Sequence, residues 1–123
     1  MDYLINRDQL PATPHSHELV GDEHELPISL ILVHSAPGTG PDMHRHPYPE
    51  VFVVEQGQAT FRVNDTEVVG ESGHIVIAPA NAYHGFINTG TGELRLTAIH
   101  TAPSFDTEWL NAPDADWISA EKP

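Results

Sequence analysis

The chain has no cysteine, so disulfide bonds, thiolate metal ligands and a nucleophilic cysteine are all excluded. Basic residues are scarce: five Lys and Arg stand against eighteen Asp and Glu, a formal net charge of −13. A surface of that sign repels phosphate backbones and anionic lipid, which argues against nucleic-acid and membrane partners and for solubility. No run approaches the ~20 apolar residues of a membrane-spanning helix, and residues 1–8 lack the apolar core of a signal peptide. A cytoplasmic location is the expectation. Helical periodicity is missing as well, and 123 residues suit one domain with one core.

What is present is a series of short β-rich runs punctuated by turn signals every ~8–12 residues, the pattern of an all-β sandwich or barrel. Ile28 to His34 is apolar at both parities and ends at Pro37-Gly38; Val51 to Val54 reads the same way. Strands apolar on both faces are covered on both faces. Gln58 to Val63 alternates cleanly, Asn64-Asp65 turns the chain, and Thr66 to Val69 returns it as a hairpin. Strands are also expected over 74–78, over 83–88 carrying His84, and over 94–100. Residues 1–27 are mixed and Pro-bearing, with room for one short strand. In that segment His15-Ser16-His17 reads as an exposed loop pair and His24 as a solvated residue among acids. Ser104 to Leu110 suits one capped helical turn, and residues 113–123 a tail anchored by Trp117. Trp109 and Trp117 are read as packing residues.

The chemistry concentrates in Gly38 to Gly57. His44, His46 and Glu50 share parity, so in an extended backbone they project to one side. Pro47 and Pro49 stiffen and bend the segment between them. Two imidazoles and a carboxylate converging from such a segment suit a divalent metal, and His84 downstream supplies a fourth ligand.

The spacing Gly38, His44, His46, Glu50, Gly57 resembles the first motif of the cupin superfamily, in its small single-domain form. Gly73, Pro79, His84 and Asn88 resemble the second motif, with Asn81 where the family usually has Gly. Asn is the non-glycine residue best able to take a left-handed turn conformation, so the departure is mild. The resemblance implies an all-β jelly-roll, or double-stranded β-helix, barrel over residues 28–102. Residues 1–27 would be a peripheral segment packed on the barrel or a partner, and 103–123 a short extension. It also implies one divalent transition metal (Fe, Mn, Ni, Co, Cu or Zn) on His44, His46, Glu50 and His84. Three imidazoles and one carboxylate suit these ions better than Ca or Mg.

Tyr48, Phe52, Phe86 and His100 are candidates for the pocket wall. His34 and His100 lie outside both motifs and are first read as satisfied structural histidines. Tyr83 is opposite in parity to His84 and is expected to point away from the ion. The functional expectation is an enzyme acting on a small molecule that chelates the ion through oxygen. Cleavage with O₂ by a dioxygenase is the first choice. A redox-neutral isomerase, cyclase or decarboxylase is the alternative, and a ligand-binding protein without turnover is a third class sharing the same fold and ion. No general acid or base is assigned. A homodimer is expected, because Ile31, Val33, Val51 and Val53 are read as one outward apolar face in need of cover.

Overall fold

The computed structural model describes residues 3–110. Its strands are β1 (Ala12–Thr13), β2 (Ser16–Leu19), β3 (Ser29–Ser35), β4 (His44–Arg45), β5 (Glu50–Gln56) and β6 (Gln58–Val63). They continue as β7 (Thr66–Glu71), β8 (Ile75–Ala78), β9 (His84–Asn88), β10 (Leu94–His100) and β11 (Glu108–Trp109). A six-stranded sheet runs β1-β2-β3-β10-β5-β8, and a five-stranded sheet runs β11-β4-β9-β6-β7. All pairings are antiparallel, giving the double-stranded β-helix barrel.

The turn chemistry follows the residues. Gly57 joins β5 to β6 at φ +86, and a side chain there would meet the Glu93 carbonyl oxygen at 2.7 Å. Asn81 takes a left-handed φ of 67, so the substitution for Gly in the second motif keeps the bend. Asn88 secures the next turn: its amide donates to the carbonyls of Ser35 and Gly92, while its oxygen accepts the Gly90 N–H.

The core lies between the sheets. Phe52, Val54, Ala59, Phe61, Phe86, Leu94 and Leu96 are buried in one cluster. Phe52, Phe61 and Phe86 pack with ring centroids 5.2 to 5.8 Å apart, in tilted and edge-on arrangements that suit aromatic quadrupoles. This cluster forms the floor on which the polar end of the barrel rests.

Four expectations are corrected. The N-terminal segment forms a hairpin, β1 and β2, rather than one strand, and β2 extends the six-stranded sheet through β3. Within it His15 is exposed, but Ser16 is buried and His17 is a half-buried strand residue whose ring lies 5.3 Å from that of His34. Residues 108–109 form a strand rather than part of a helical turn. Glu108 and Trp109 pair with Arg45 and His44, and the Leu110 N–H donates to the Met43 carbonyl.

The fourth correction concerns the faces of β3. Ile31 pairs with Ala98 and Val33 with Leu96, and both pack on the core, so they face inward. The outward residues are Leu30, Leu32, Val51, Val53 and Ile99, continued by Ile75 and Ile77, which are 63% and 61% exposed. A strand apolar at both parities carries no local sign of which face is inner; the register through β10 decides it. Trp117 and the tail expected over 113–123 lie outside the described residues. No helix among the described residues is long and apolar enough to cross a membrane.

Candidate metal centre

Two cross-strand pairs build one end of the barrel. His44 on β4 lies opposite His84 on β9 in the five-stranded sheet, and Glu50 on β5 lies opposite His100 on β10 in the six-stranded sheet. Directly opposed residues share a face, so both pairs project into the interior. His46 follows β4, where its carbonyl accepts the Asn81 N–H at 2.7 Å, tying the two motif segments together. His44, His46, Glu50 and His84 are all buried, and one ligand atom from each lies within 4.8 Å of the others.

The orientation of the imidazoles is set from behind. His44 Nδ1 donates to the Asp42 carbonyl at 2.7 Å and His84 Nδ1 to the Ala82 carbonyl at 2.9 Å. His46 Nδ1 donates to the Asp106 carbonyl at 3.0 Å, with the Thr107 hydroxyl at 3.2 Å. Each of the three rings therefore turns Nε2, with its lone pair, away from these contacts. This back-bonding is the arrangement that fixes the tautomer of metal-ligating histidines. Glu50 Oε1 stands 3.0 Å from Nε2 of both His46 and His84. His46 Nε2 is buried without a hydrogen bond of good geometry. In neutral rings these nitrogens are acceptors, and so is the carboxylate. Acceptors facing acceptors at 3 Å repel unless a proton or a cation lies between them. The residues thus fit a metal ion.

The electrostatics agree. Burial, reinforced by the neighbouring His84 imidazole, pushes His44 down to about 4, so that it stays neutral at physiological pH. Burial alone would raise Glu50, but positive charge at the Nε2 atoms of His100, His46 and His84, carried as a proton in metal-free protein and supplied by the ion when it is bound, outweighs burial and holds its carboxyl well below the usual carboxylate range. Neutral imidazoles and an ionised carboxylate are the protonation states that coordination requires.

His100 has a larger place than the sequence suggested. It is 2% exposed, with Nε2 3.1 Å from Glu50 Oε2 and Nδ1 2.7 Å from the Tyr48 hydroxyl. Its outer neighbours, Tyr48 and the backbone N–H of Asp106 on that hydroxyl, complete a chain from the carboxylate to the rim. Burial pushes the Tyr48 phenol up, which keeps it protonated. Beside the centre opens a cavity of about 720 Å³, with Phe52, Phe86 and His100 in its wall. Tyr48 is not in that wall; it stands behind His100, its ring stacked on His46 at 5.0 Å. Tyr83 points away from the centre, packing on Met43 and Ile87 with the Arg45 guanidinium 4.6 Å over its ring. His34 sits on the far side of the sheet beside His17.

Sequence reasoning missed the C-terminal contribution. Trp109, read as a packing residue, is 56% exposed at the cavity wall, its ring 4.9 Å from that of the candidate ligand His44. Phe105 meets His100 edge-on at 4.8 Å. Nothing in the spacing of residues 104–110 signals this, because a long-range pairing with β4 places them.

Fold and site together define a β-barrel protein with a histidine-and-carboxylate centre at one end of its cavity. The model of the Cupin domain family matches residues 31–100, more than half of the chain, and the chain belongs to that family. Among solved structures it is similar to an uncharacterised Klebsiella pneumoniae protein with a double-stranded β-helix domain. That match has a TM-score of 0.72 and 18% identity and covers 91% of this chain and 100% of that one. A cupin-like protein of Thermotoga maritima matches with a TM-score of 0.70 and 21% identity, over 89% of each chain. Bacillus subtilis oxalate decarboxylase, an enzyme with Mn(II) centres, matches with a TM-score of 0.71 and 21% identity, over 85% of this chain and 30% of its own. These likenesses establish the fold. No curated protein sequence matches the chain.

Proposed function

We propose that this cupin is a mononuclear metal-dependent enzyme holding one divalent transition metal on His44, His46, Glu50 and His84. The observation that carries the reading is the inward convergence of back-bonded Nε2 atoms on the Glu50 carboxylate beside an open cavity. The ligand set suits Fe, Mn, Ni, Co, Cu or Zn, and the Mn(II) centres of the Bacillus subtilis oxalate decarboxylase favour manganese within that list. Bound there, the ion would supply Lewis-acid polarisation of a chelating oxygen and positions open to exogenous ligands. The protein's own part is to orient the substrate against Phe52, Phe86 and His100 and to exclude water from the apolar inner wall.

Dioxygenation of a small oxygen-chelating molecule is the first reading. A redox-neutral isomerase, cyclase or decarboxylase is the second, favoured by one observation: His100, in the cavity wall, is hydrogen-bonded to the Tyr48 hydroxyl as a proton carrier would be. The same proposal places the protein in the cytoplasm as a homodimer. It treats residues 28–102 as the barrel, with 1–27 and 103–123 as its flanking segments.

Elemental analysis of protein purified without chelators tests the ion. Chromatographic detection of substrate loss and product, with an oxygen electrode for O₂ uptake, tests the chemistry on a panel of catechols, β-diketones and α-keto acids, each compound being assayed in air and under nitrogen. Turnover that stops under nitrogen is the expected result. Turnover that persists there identifies the redox-neutral reading, and stoichiometric metal with binding but no turnover in either gas identifies a ligand-binding protein.

A further inference from the structure

The cavity reaches well beyond the metal centre. Its far rim is formed by the N-terminal hairpin, with Thr13, Ser16 and Glu18 in the wall. Glu18 on β2 lies opposite Ile31, and Ile31 packs on the core, so the Glu18 carboxylate faces the barrel interior. It is half-buried, and among the described residues no hydrogen bond or ion pair engages that carboxylate. Arg7, Arg45, Arg62 and Arg95 all lie outside the cavity wall. What separates the two carboxylates is apolar: Ile31, Val33, Phe52, Phe86 and Ala98.

A small dianion such as oxalate would enter this space with no Lys or Arg in the wall to meet it away from the centre and with Glu18 opposing it, His15 being the other titratable side chain on that rim. It would also leave most of about 720 Å³ unfilled, a volume in the range of pockets for drug-sized ligands. Across the sheet Glu18 is followed by Ile31, Ala98 and Phe52. Those three strand spacings come to about 14 Å along the curved surface as far as Phe52, two residues from Glu50 on β5, which leaves room between the two carboxylates for a substituted aromatic ring.

We propose, building on the metal-centre reading above, that the substrate is a mainly apolar molecule with a chelating oxygen pair at one end and a cationic or N–H donor group at the other. Glu18 is the specificity-determining residue that receives the donor group. This end of the cavity comes from the N-terminal hairpin, outside both metal-ligand motifs, so it selects the substrate independently of the ion.

Calorimetric titration of zinc-loaded protein under nitrogen tests this with probes sharing one catechol head: dopamine, neutral 4-ethylcatechol, and 3,4-dihydroxyphenylacetate, with oxalate alongside. The wild type should prefer dopamine to the acid by about tenfold or more, the effect of a partly buried charge contact, and bind oxalate more weakly than 4-ethylcatechol. In Glu18→Gln that preference should shrink to within about threefold, with zinc affinity and circular dichroism matching wild type as the check on folding. Glu18→Lys should reverse it. A dopamine-to-acid ratio that is the same in wild type and Glu18→Gln overturns the proposal, as does oxalate binding tightest. Failure of the metal reading shows separately: chelator-treated protein would then bind 4-ethylcatechol as well as zinc-loaded protein does, whatever the Glu18 ratio.

Discussion

Glu50→Gln separates the metal centre from the fold most sharply. The side chain is 3% exposed, and its two oxygens lie 3.0 to 3.1 Å from the Nε2 atoms of His46, His84 and His100. Glutamine keeps that shape and one carbonyl oxygen but removes the charge. In metal-free protein the two effects oppose each other. Charge-assisted contacts to three imidazoles are lost, and the cost of burying a full carboxylate disappears, so stability should change by less than about 2 kcal/mol. With metal they do not oppose. Changing even a residue behind a metal ligand commonly costs 10- to 100-fold in affinity. Losing the only anionic ligand should therefore cost at least ~100-fold, or about 2.7 kcal/mol.

Because the ion stabilises only the folded chain, that loss appears directly in the melting temperature at fixed excess metal. For a chain of this length it corresponds to a metal-induced shift smaller by on the order of 10 °C. Competition against a fluorescent chelator gives the affinity, and differential scanning calorimetry with and without metal gives the shift. His84→Ala should behave alike, whereas His15→Ala and His17→Ala should match wild type. If Glu50→Gln retained both the wild-type affinity and the wild-type shift, Glu50 would not be a ligand and the convergence at its carboxylate would have another cause.

Two further outcomes are expected. His44 is held at about 4 against its ordinary 6.5, so the unfolded chain takes up a proton there before the folded one does. The stability that this difference gives metal-free protein is fully present above pH 6.5. It should fall by on the order of 3 kcal/mol as the pH drops to 4, as read by urea denaturation, and His44→Gln should flatten that slope; an equal slope in both proteins refutes it. The outward sheet face of Leu30, Leu32, Val51, Val53 and Ile99, with exposed Ile75 and Ile77, should bury itself against a second copy. Val53→Glu should then shift sedimentation equilibrium toward the monomer, and a wild type of 13.5 kDa at all micromolar concentrations rejects the dimer.

The sequence by itself determined the parts of this protein that depend on local spacing. Alternate residues of a strand share a face, which puts Glu50, Phe52 and Val54 of β5 on one buried side; His44 and Glu50, by contrast, stand in different sheets, and the facing of those sheets brings them together. Turn chemistry is equally local, which is why Asn81 could be expected to take the left-handed bend it adopts at φ 67. Long-range pairing is not written in any such window. Ile31 and Val33 look alike at either parity, and only their register with Ala98 and Leu96 on β10 turns them inward. His100 reads as an ordinary strand residue until pairing with Glu50 places it 3.1 Å from the carboxylate. Residues 108–109 become a strand because β4 offers an edge, and Glu18 becomes part of the cavity because β2 docks on β3. Periodicity along a chain is fixed by backbone geometry, but which strands meet, and in what register, is settled by burial of the whole core, and that decision belongs to the tertiary structure.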